Sequence, residues 1–195
     1  MLEDVPMLAR PWSLVGPALV STALLVGLVG SGCSSSRFTR PLPAYAGPTA
    51  SLFDDSVEPS AVGLDFDQSY DAMKDKAFRD RLRQADGILR VRIATVGSRT
   101  GSEDDPSFTF HVEPLEKLYG QYPPEEPFDV AISPRSSTLG VFKHLEHKLV
   151  GATFIAFTKD YRPPGGTPET HVHLAPDTPA VKKAVEDLLA LDSLQ

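Results

Sequence analysis

The chain has 195 residues, of which 41% are apolar and 23% are charged, so it can bury the core of one ordinary domain and does not have the composition of a disordered protein. Its formal net charge of −7 at pH 7 argues against binding nucleic acid or docking on anionic lipid by charge alone, because both contacts need clustered lysine and arginine. The only cysteine, Cys33, excludes an internal disulfide framework and a multi-cysteine metal site.

The first feature along the chain is an uncharged segment at residues 11–36. Within it, residues 14–30 consist mainly of Leu, Val, Ala and Gly, and small residues follow directly before Cys33. An apolar stretch that ends in small residues is typical of a signal peptide, which predicts that residues 1–32 are removed. Glu3 and Asp4 are unusual in front of such a stretch, so we expect residues 1–6 to be dispensable for export.

The end of this segment carries a motif, since residues 29–33 read Val-Gly-Ser-Gly-Cys. It resembles the lipobox of bacterial lipoproteins, in which the cysteine is acylated with diacylglycerol and becomes the first residue after cleavage. The resemblance implies that Cys33 is lipidated and that the protein is attached to a membrane of the bacterial cell envelope. Gly30 departs from the pattern, which usually has leucine there. Ser34, where aspartate would favour the inner membrane, implies the outer membrane.

The same segment has an alternative interpretation as an uncleaved transmembrane helix. Residues 11–32 are long enough for it, because about 20 apolar residues span a bilayer. Several glycines and Pro17 make a poor helix, however, and small residues beside a lone cysteine are what acylation requires.

The remainder of the chain divides into a predicted tether and a predicted domain. Residues 33–60 are rich in proline, serine and alanine and follow no helical or strand period, so we expect a flexible, partly extended linker. Its larger apolar residues, Phe38, Tyr45, Leu52 and Phe53, either dock on a surface that the sequence does not identify or remain solvated. Residues 61–195 are then expected to form a single globular domain.

Apolar periodicity predicts the elements of this domain in chain order. A helix is expected at 68–84 with Asp67 or Ser69 as its cap, and a polar loop at 97–107. The predicted strands cover residues 88–96, 108–113, 128–133, 153–158 and, at an edge of the sheet, 171–174. Thr178 is expected to cap a last helix with an apolar stripe that reaches Leu191. The order predicts an α+β domain with a small, mostly antiparallel sheet between an N-terminal and a C-terminal helix.

Three of these segments also carry a resemblance to a known fold. Residues 85–91, 110–120 and 151–157 are similar in order to OB-like barrels and to the netrin-like domains related to tissue inhibitors of metalloproteases. There a first strand follows an Ala-Asp step, a second ends in a Leu-x-Gly turn, and a later aromatic strand follows a glycine. The resemblance implies a small closed or half-open barrel. It implies no inhibitory chemistry, because the cysteines of the animal members are missing here.

Two pairs of histidines are the candidate metal ligands. His171 and His173 are two residues apart, which on a strand places both imidazoles on one face. His144 and His147 are three apart, which makes them neighbours on a helix. If the pairs converge, they offer ligands for zinc, copper or nickel. The simpler interpretation is that both pairs lie on solvated faces, because neither spacing completes a metal motif.

The sequence lacks the motifs of nucleophilic catalysis and of phosphate binding, so no catalytic residue and no cofactor are predicted. The leading hypothesis is an envelope lipoprotein whose non-catalytic domain binds or scaffolds another envelope component, with the membrane reached through Cys33. The alternative is a periplasmic metal-binding or metal-dependent protein that uses His144, His147, His171 and His173.

Overall fold

The computed structural model describes residues 40–64, 70–100, 106–120, 124–132, 136, 139, 145–192 and 194. These residues fold as an α+β unit around one curled, mixed six-stranded sheet that forms a half-barrel. The strands are β1 (Ser56–Val57), β2 (Gly87–Thr100), β3 (Pro106–Gly120), β4 (Phe128–Ile132), β5 (Thr153–Tyr161) and β6 (Glu169–Pro176). They lie in the order β1-β6-β5-β2-β3-β4. The pairing of β1 with β6 is parallel and the other four pairings are antiparallel.

The two longest strands, β2 and β3, curl the sheet. Their register shifts at three points, and such bulges bend a strand pair and increase its twist. Gly120 closes the pair with φ +107, where an added Cβ would collide with the carbonyl oxygen of Asp86. The polar loop expected at 97–107 is wrong at both ends, because Thr100 still pairs with Pro106. Polar residues in a two-stranded ribbon need no apolar alternation, so this extension left no pattern in the sequence.

One face of the sheet holds an inner core of aliphatic and aromatic side chains. Phe108, Phe110 and Val112 are buried there and Thr109 is exposed, which confirms the predicted orientation of β3. Strand β5 lies among its neighbours in the middle of the sheet and is buried along most of its length, as its apolar sequence predicts. Val57, Val62 and Leu149 complete the inner core from outside the long strands.

The opposite face is covered by two helices, α2 (Lys76–Gln84) and the C-terminal helix α4 (Pro179–Asp192). Together with β5 they form an outer core around Phe78, Leu82 and Phe157. Helix α2 begins at Lys76 and not at residue 68, because the Asp75 carboxylate accepts from the amide of Ala77 and caps it there. The caps expected at Asp67 and Ser69 lie outside the described residues.

Helix α4 begins where the sequence predicts. The Thr178 hydroxyl accepts a hydrogen bond from the amide of Val181 at 3.2 Å and satisfies one of the donors at the start of the helix. Val181, Ala184 and Val185 are buried against the sheet. The predicted apolar stripe is wrong at its last member, because Leu191 is 54% exposed.

Residues 40–64, which we call the strap, lie along the sheet beside β6. They contain a short helix α1 (Gly47–Ala50), β1 and a 3₁₀ turn at Pro59–Val62. Phe53 and Val57 are fully buried, so the flexible tether expected to reach residue 60 is wrong over this part of the chain. Because β1 pairs with β6, the edge position expected for residues 171–174 is also wrong. No helix among the described residues is long and apolar enough to span a membrane.

Candidate functional site

The structure describes three of the five residues that the sequence singled out. Cys33 and His144 lie outside the described residues. His147 is exposed on a four-residue helix, α3 (Glu146–Leu149), whose Leu149 packs into the inner core. His171 and His173 lie on β6 and share one face, as their spacing predicts, because Val172 between them points into the inner core. His173 is buried and His171 is largely so, and their predicted solvated position is therefore wrong.

His171 is enclosed by the strap. Its ring stacks on Tyr45 with centroids 3.8 Å apart and planes 7° apart, and meets Tyr161 edge-on at 5.5 Å. Its Nδ1 lies 2.7 Å from Oδ2 of Asp55, and its Nε2 lies 3.8 Å from Oε2 of Glu169. The two tyrosine hydroxyls donate to backbone oxygens within the strap, Tyr45 to Phe53 and Tyr161 to Thr49. These contacts tie the strap to the sheet around the imidazole.

Asp55 holds the centre of this contact. Its carboxylate accepts from the amide of Val172 at 3.0 Å as well as facing His171, and its own amide donates to the Val172 carbonyl at 2.9 Å. The residue has φ +52, a left-handed conformation that aspartate and asparagine tolerate better than most residues. The conformation turns the chain so that both the amide and the carboxylate of Asp55 bond to β6, directly before β1 begins.

His173 makes the second polar contact between strap and sheet. Its Nδ1 lies 2.8 Å from the hydroxyl of Ser56, and that hydroxyl donates to the carboxylate of Asp54. Because an ionised carboxylate only accepts, the Ser56 oxygen must accept from Nδ1, which places the ring proton on Nδ1 and the lone pair on Nε2. Nε2 is buried and has no hydrogen-bond partner among the described residues. Burial, aided by the nearby Arg81 cation, lowers the pKa of His173 well below its usual value.

Two charged residues line the surroundings of His173. Glu58 lies with its Oε2 3.9 Å from Nε2, and its amide donates to the carbonyl of Leu174. Burial raises the pKa of Glu58, and the positive charge of Arg81 opposes the rise. Arg81 extends from α2 and donates through Nε to the carbonyl of Leu52 at 2.9 Å, and burial lowers its pKa. The strap, α2 and β6 therefore meet around a cluster of polar side chains, which we call the seam. Its members are Asp55, Ser56, Glu58, Arg81, His171 and His173.

The seam has the chemistry of a structural contact. Ser56 stands between an aspartate and a histidine, whereas in a nucleophilic triad the histidine stands between the serine and the acid. Ser56 is also 4% exposed, so a substrate cannot reach its hydroxyl. Within the described ranges, no group of three or more histidine, cysteine, aspartate or glutamate side chains is placed to hold a metal ion.

Most of the seam was missed from the sequence, although one signal was present. Aromatic residues at 45 and 53 inside a proline-rich segment are the residues that dock. Asp55, Ser56, Glu58 and Arg81 gave no signal, because their partners lie on other elements. Comparison with protein-family models, with curated proteins and with solved structures finds no match to this chain.

Proposed function

We propose that this chain is a lipid-anchored protein of the bacterial cell envelope, with a non-catalytic domain that binds or scaffolds another envelope component. The observation that carries the proposal is the apolar segment that ends in small residues at the single cysteine, Cys33. By the same resemblance, the outer membrane is the expected location. We expect no nucleic-acid partner, given the net charge of −7.

The position of the strap supports a close attachment. Its first described residue, Arg40, forms an ion pair with Asp86 at the start of β2. Only seven residue steps separate Arg40 from Cys33, and an extended chain of that length reaches at most about 25 Å. A lipid on Cys33 would therefore hold the folded domain near the membrane surface. The function that follows is one of position, in which the domain presents its surfaces to partners close to the bilayer.

We further propose that the half-barrel is related to OB-like barrels, and its strand order supports this. Leaving out the two-residue β1, the long strands follow the order fifth, fourth, first, second, third. An OB barrel opened between its third and fifth strands has this order. OB-like folds use their curved sheet and loops to bind extended ligands, which is compatible with a binding domain but does not identify a ligand.

Metabolic labelling with radioactive palmitate tests the anchor. We expect label in the wild-type chain and none in Cys33→Ser, which should also accumulate as the longer, uncleaved precursor. Ser35→Ala, two residues further on, is the matched control and should be labelled and cleaved like the wild type. Equal labelling of Cys33→Ser and wild type would overturn the proposal. A wild-type chain that is cleaved but carries no label would also overturn the lipid anchor and indicate a secreted protein.

The alternative function, metal binding through the four histidines, has less support. The described candidates lie apart in the fold, because His147 is on α3 beside the inner core while His171 and His173 face the strap. Both β6 histidines already use Nδ1 in contacts with the strap.

A further inference from the structure

Arg40, the first described residue of the strap, lies at one end of the folded unit, and an exposed amphipathic surface lies at the same end. Strand β2 begins at this end, directly after Asp86, which pairs with Arg40. Gly87 pairs with Gly120 and with Thr158, so the last residues of β3 and β5 lie at the same end. The C-terminal half of α2 precedes Asp86 in the chain and therefore also ends here.

The side chains at this end combine cations with exposed apolar groups. Arg79, Leu82 and Arg83 of α2 line a shallow depression of about 100 Å³ with residues 188, 191 and 192 of α4. Leu191 is 54% exposed, although it belongs to the apolar stripe of its helix. Tyr119 is 44% exposed and pairs with Ile88, a member of the outer core, so it lies on the helix side of the sheet. We call Arg79, Arg83 and Leu191 the anchor-side surface; Tyr119 lies at the same end of the sheet.

We infer that the anchor-side surface rests on the lipid bilayer to which the chain is attached. This inference depends on the proposed membrane attachment, because Arg40, seven positions after Cys33 in the sequence, contacts Asp86 at this end. Arginine, tyrosine and leucine are the side chains that interfacial surfaces use, with the apolar groups at the acyl boundary and the cations at the phosphates. Asp192 is the only acid that lines the depression.

The net charge of the chain does not oppose this arrangement. A net charge of −7 weakens binding of a free domain to anionic lipid, but a tethered domain is already at high local concentration beside the bilayer. A weak surface contact then suffices to orient the domain, in the way that one lipid chain needs a second, weaker signal for stable attachment.

Tryptophan reporters in the full chain test the inference. Trp12 is the only tryptophan, so a Trp12→Phe background allows one reporter to be placed at a time. Leu191→Trp reports the anchor-side surface. Val150→Trp is the matched control, since Val150 directly follows α3 and is 52% exposed. The amide of the next residue, Gly151, donates to the carbonyl of Ile93, which lies six residues or ~20 Å along β2 from Gly87. Each chain is purified from membranes with its anchor in place and reconstituted into phosphatidylcholine–phosphatidylglycerol vesicles with brominated acyl chains.

We expect the emission of the reporter at 191 to fall roughly twofold through contact quenching at the acyl boundary, and the reporter at 150 to be unchanged. Adding Arg79→Glu and Arg83→Glu to Leu191→Trp should restore its emission. Equal emission of both reporters, in chains that float with the vesicles, would overturn the inference and leave membrane attachment standing. A chain that does not float would overturn both. Quenching that persists after the arginine reversals would overturn the role of the cations.

Discussion

The inner core and the seam hold the same sheet together in different ways. The inner core consists of apolar side chains from long strands, and Val91, Ile93 and Phe110 are fully buried in it. The seam joins a short parallel strand pair to the sheet through carboxylates, hydroxyls and imidazoles, and leaves one buried nitrogen without a partner among the described residues. Apolar burial is additive and tolerant of small shifts, whereas each polar contact of the seam depends on its geometry.

The difference has a consequence for stability. Loss of an inner-core side chain removes transfer free energy and leaves a cavity, so it weakens the whole domain. Loss of a seam contact removes one or two hydrogen bonds and releases the strap. The domain then opens locally at the strap before it unfolds globally. Variants of the inner core and variants of the seam should therefore give different results in experiments that distinguish global unfolding from local opening.

The largest expected effect is in the inner core. Phe110→Ala should lower the free energy of unfolding by about 3–5 kcal/mol, as large aromatic truncations do. Thr109→Ala, on the exposed face of the same strand, is the control and should cost far less. Denaturant unfolding of both variants measures the difference, and equal losses would mean that the burial described for β3 is wrong.

The next effect concerns the strap. Asp55→Ala should cost about 1–3 kcal/mol, because the amide of Val172 and the ring of His171 lose their acceptor. Amide hydrogen exchange should quicken at Glu58, whose amide donates to Leu174, with little change at the amides of β3. Asp55→Asn keeps an acceptor and a side chain that tolerates positive φ, so it should fall between the wild type and Asp55→Ala. Uniform exchange changes across the sheet would contradict a local role.

A pH dependence should arise at His173. Its pKa is lowered in the folded state by burial, so below the ordinary histidine pKa of about 6.5 the unfolded chain takes up a proton that the folded chain does not. Stability should fall as pH decreases through this range, by at most about 1.4 kcal/mol per pH unit, and His173→Gln should flatten the fall.

Glu58 should act in the opposite direction. Burial raises the pKa of Glu58 in the folded state, so the folded chain takes up a proton before the unfolded chain does as pH falls. The stability of the folded state therefore increases as pH falls from the raised pKa towards the ordinary one. Glu58→Gln should therefore steepen the loss of stability on acidification by removing this compensation. A shallower slope in Glu58→Gln than in the wild type would show that burial does not raise this pKa.

The smallest expected effect is that of a chelator. The melting temperature of the full chain in the Cys33→Ser background should not change when EDTA is added, because the described histidines are not grouped as metal ligands. A bound metal would stabilise the folded state by about 2.7 kcal/mol at a free concentration 100 times its Kd. A zinc or copper content that survives dialysis and disappears in His171→Ala with His173→Ala would favour the metal-binding alternative.

The inner core was largely readable from the sequence. Alternation at Phe108, Phe110 and Val112 predicted which face of β3 is buried, and the apolar run at 153–158 predicted a strand inside the sheet. These patterns are local, because a side chain's face on a strand is decided by its parity alone.

The seam was not readable for the opposite reason. The proline-rich composition of residues 33–60 is typical of a linker, and contacts with the distant elements β5, β6 and α2 hold its second half in place. The start of α2 was also misplaced, because the apolar residues before Lys76 continue a helical period that Asp75 interrupts by capping. Side-chain hydrogen bonds between elements leave no period in a sequence.

The pairing of strap and sheet also sets an order of assembly. Ser56 and His173 are 117 positions apart in the chain, whereas β2, β3 and β4 are consecutive and pair with their neighbours. During synthesis the strap emerges before the long strands, and it has no strand to pair with until β6, which ends at Pro176, has been made. Contacts of such long sequence separation form slowly, so closure of the strap should be the last and slowest folding step. Until then Tyr45 and Phe53 stay uncovered, and a chain crossing a membrane from its N-terminus would complete its fold only on the far side.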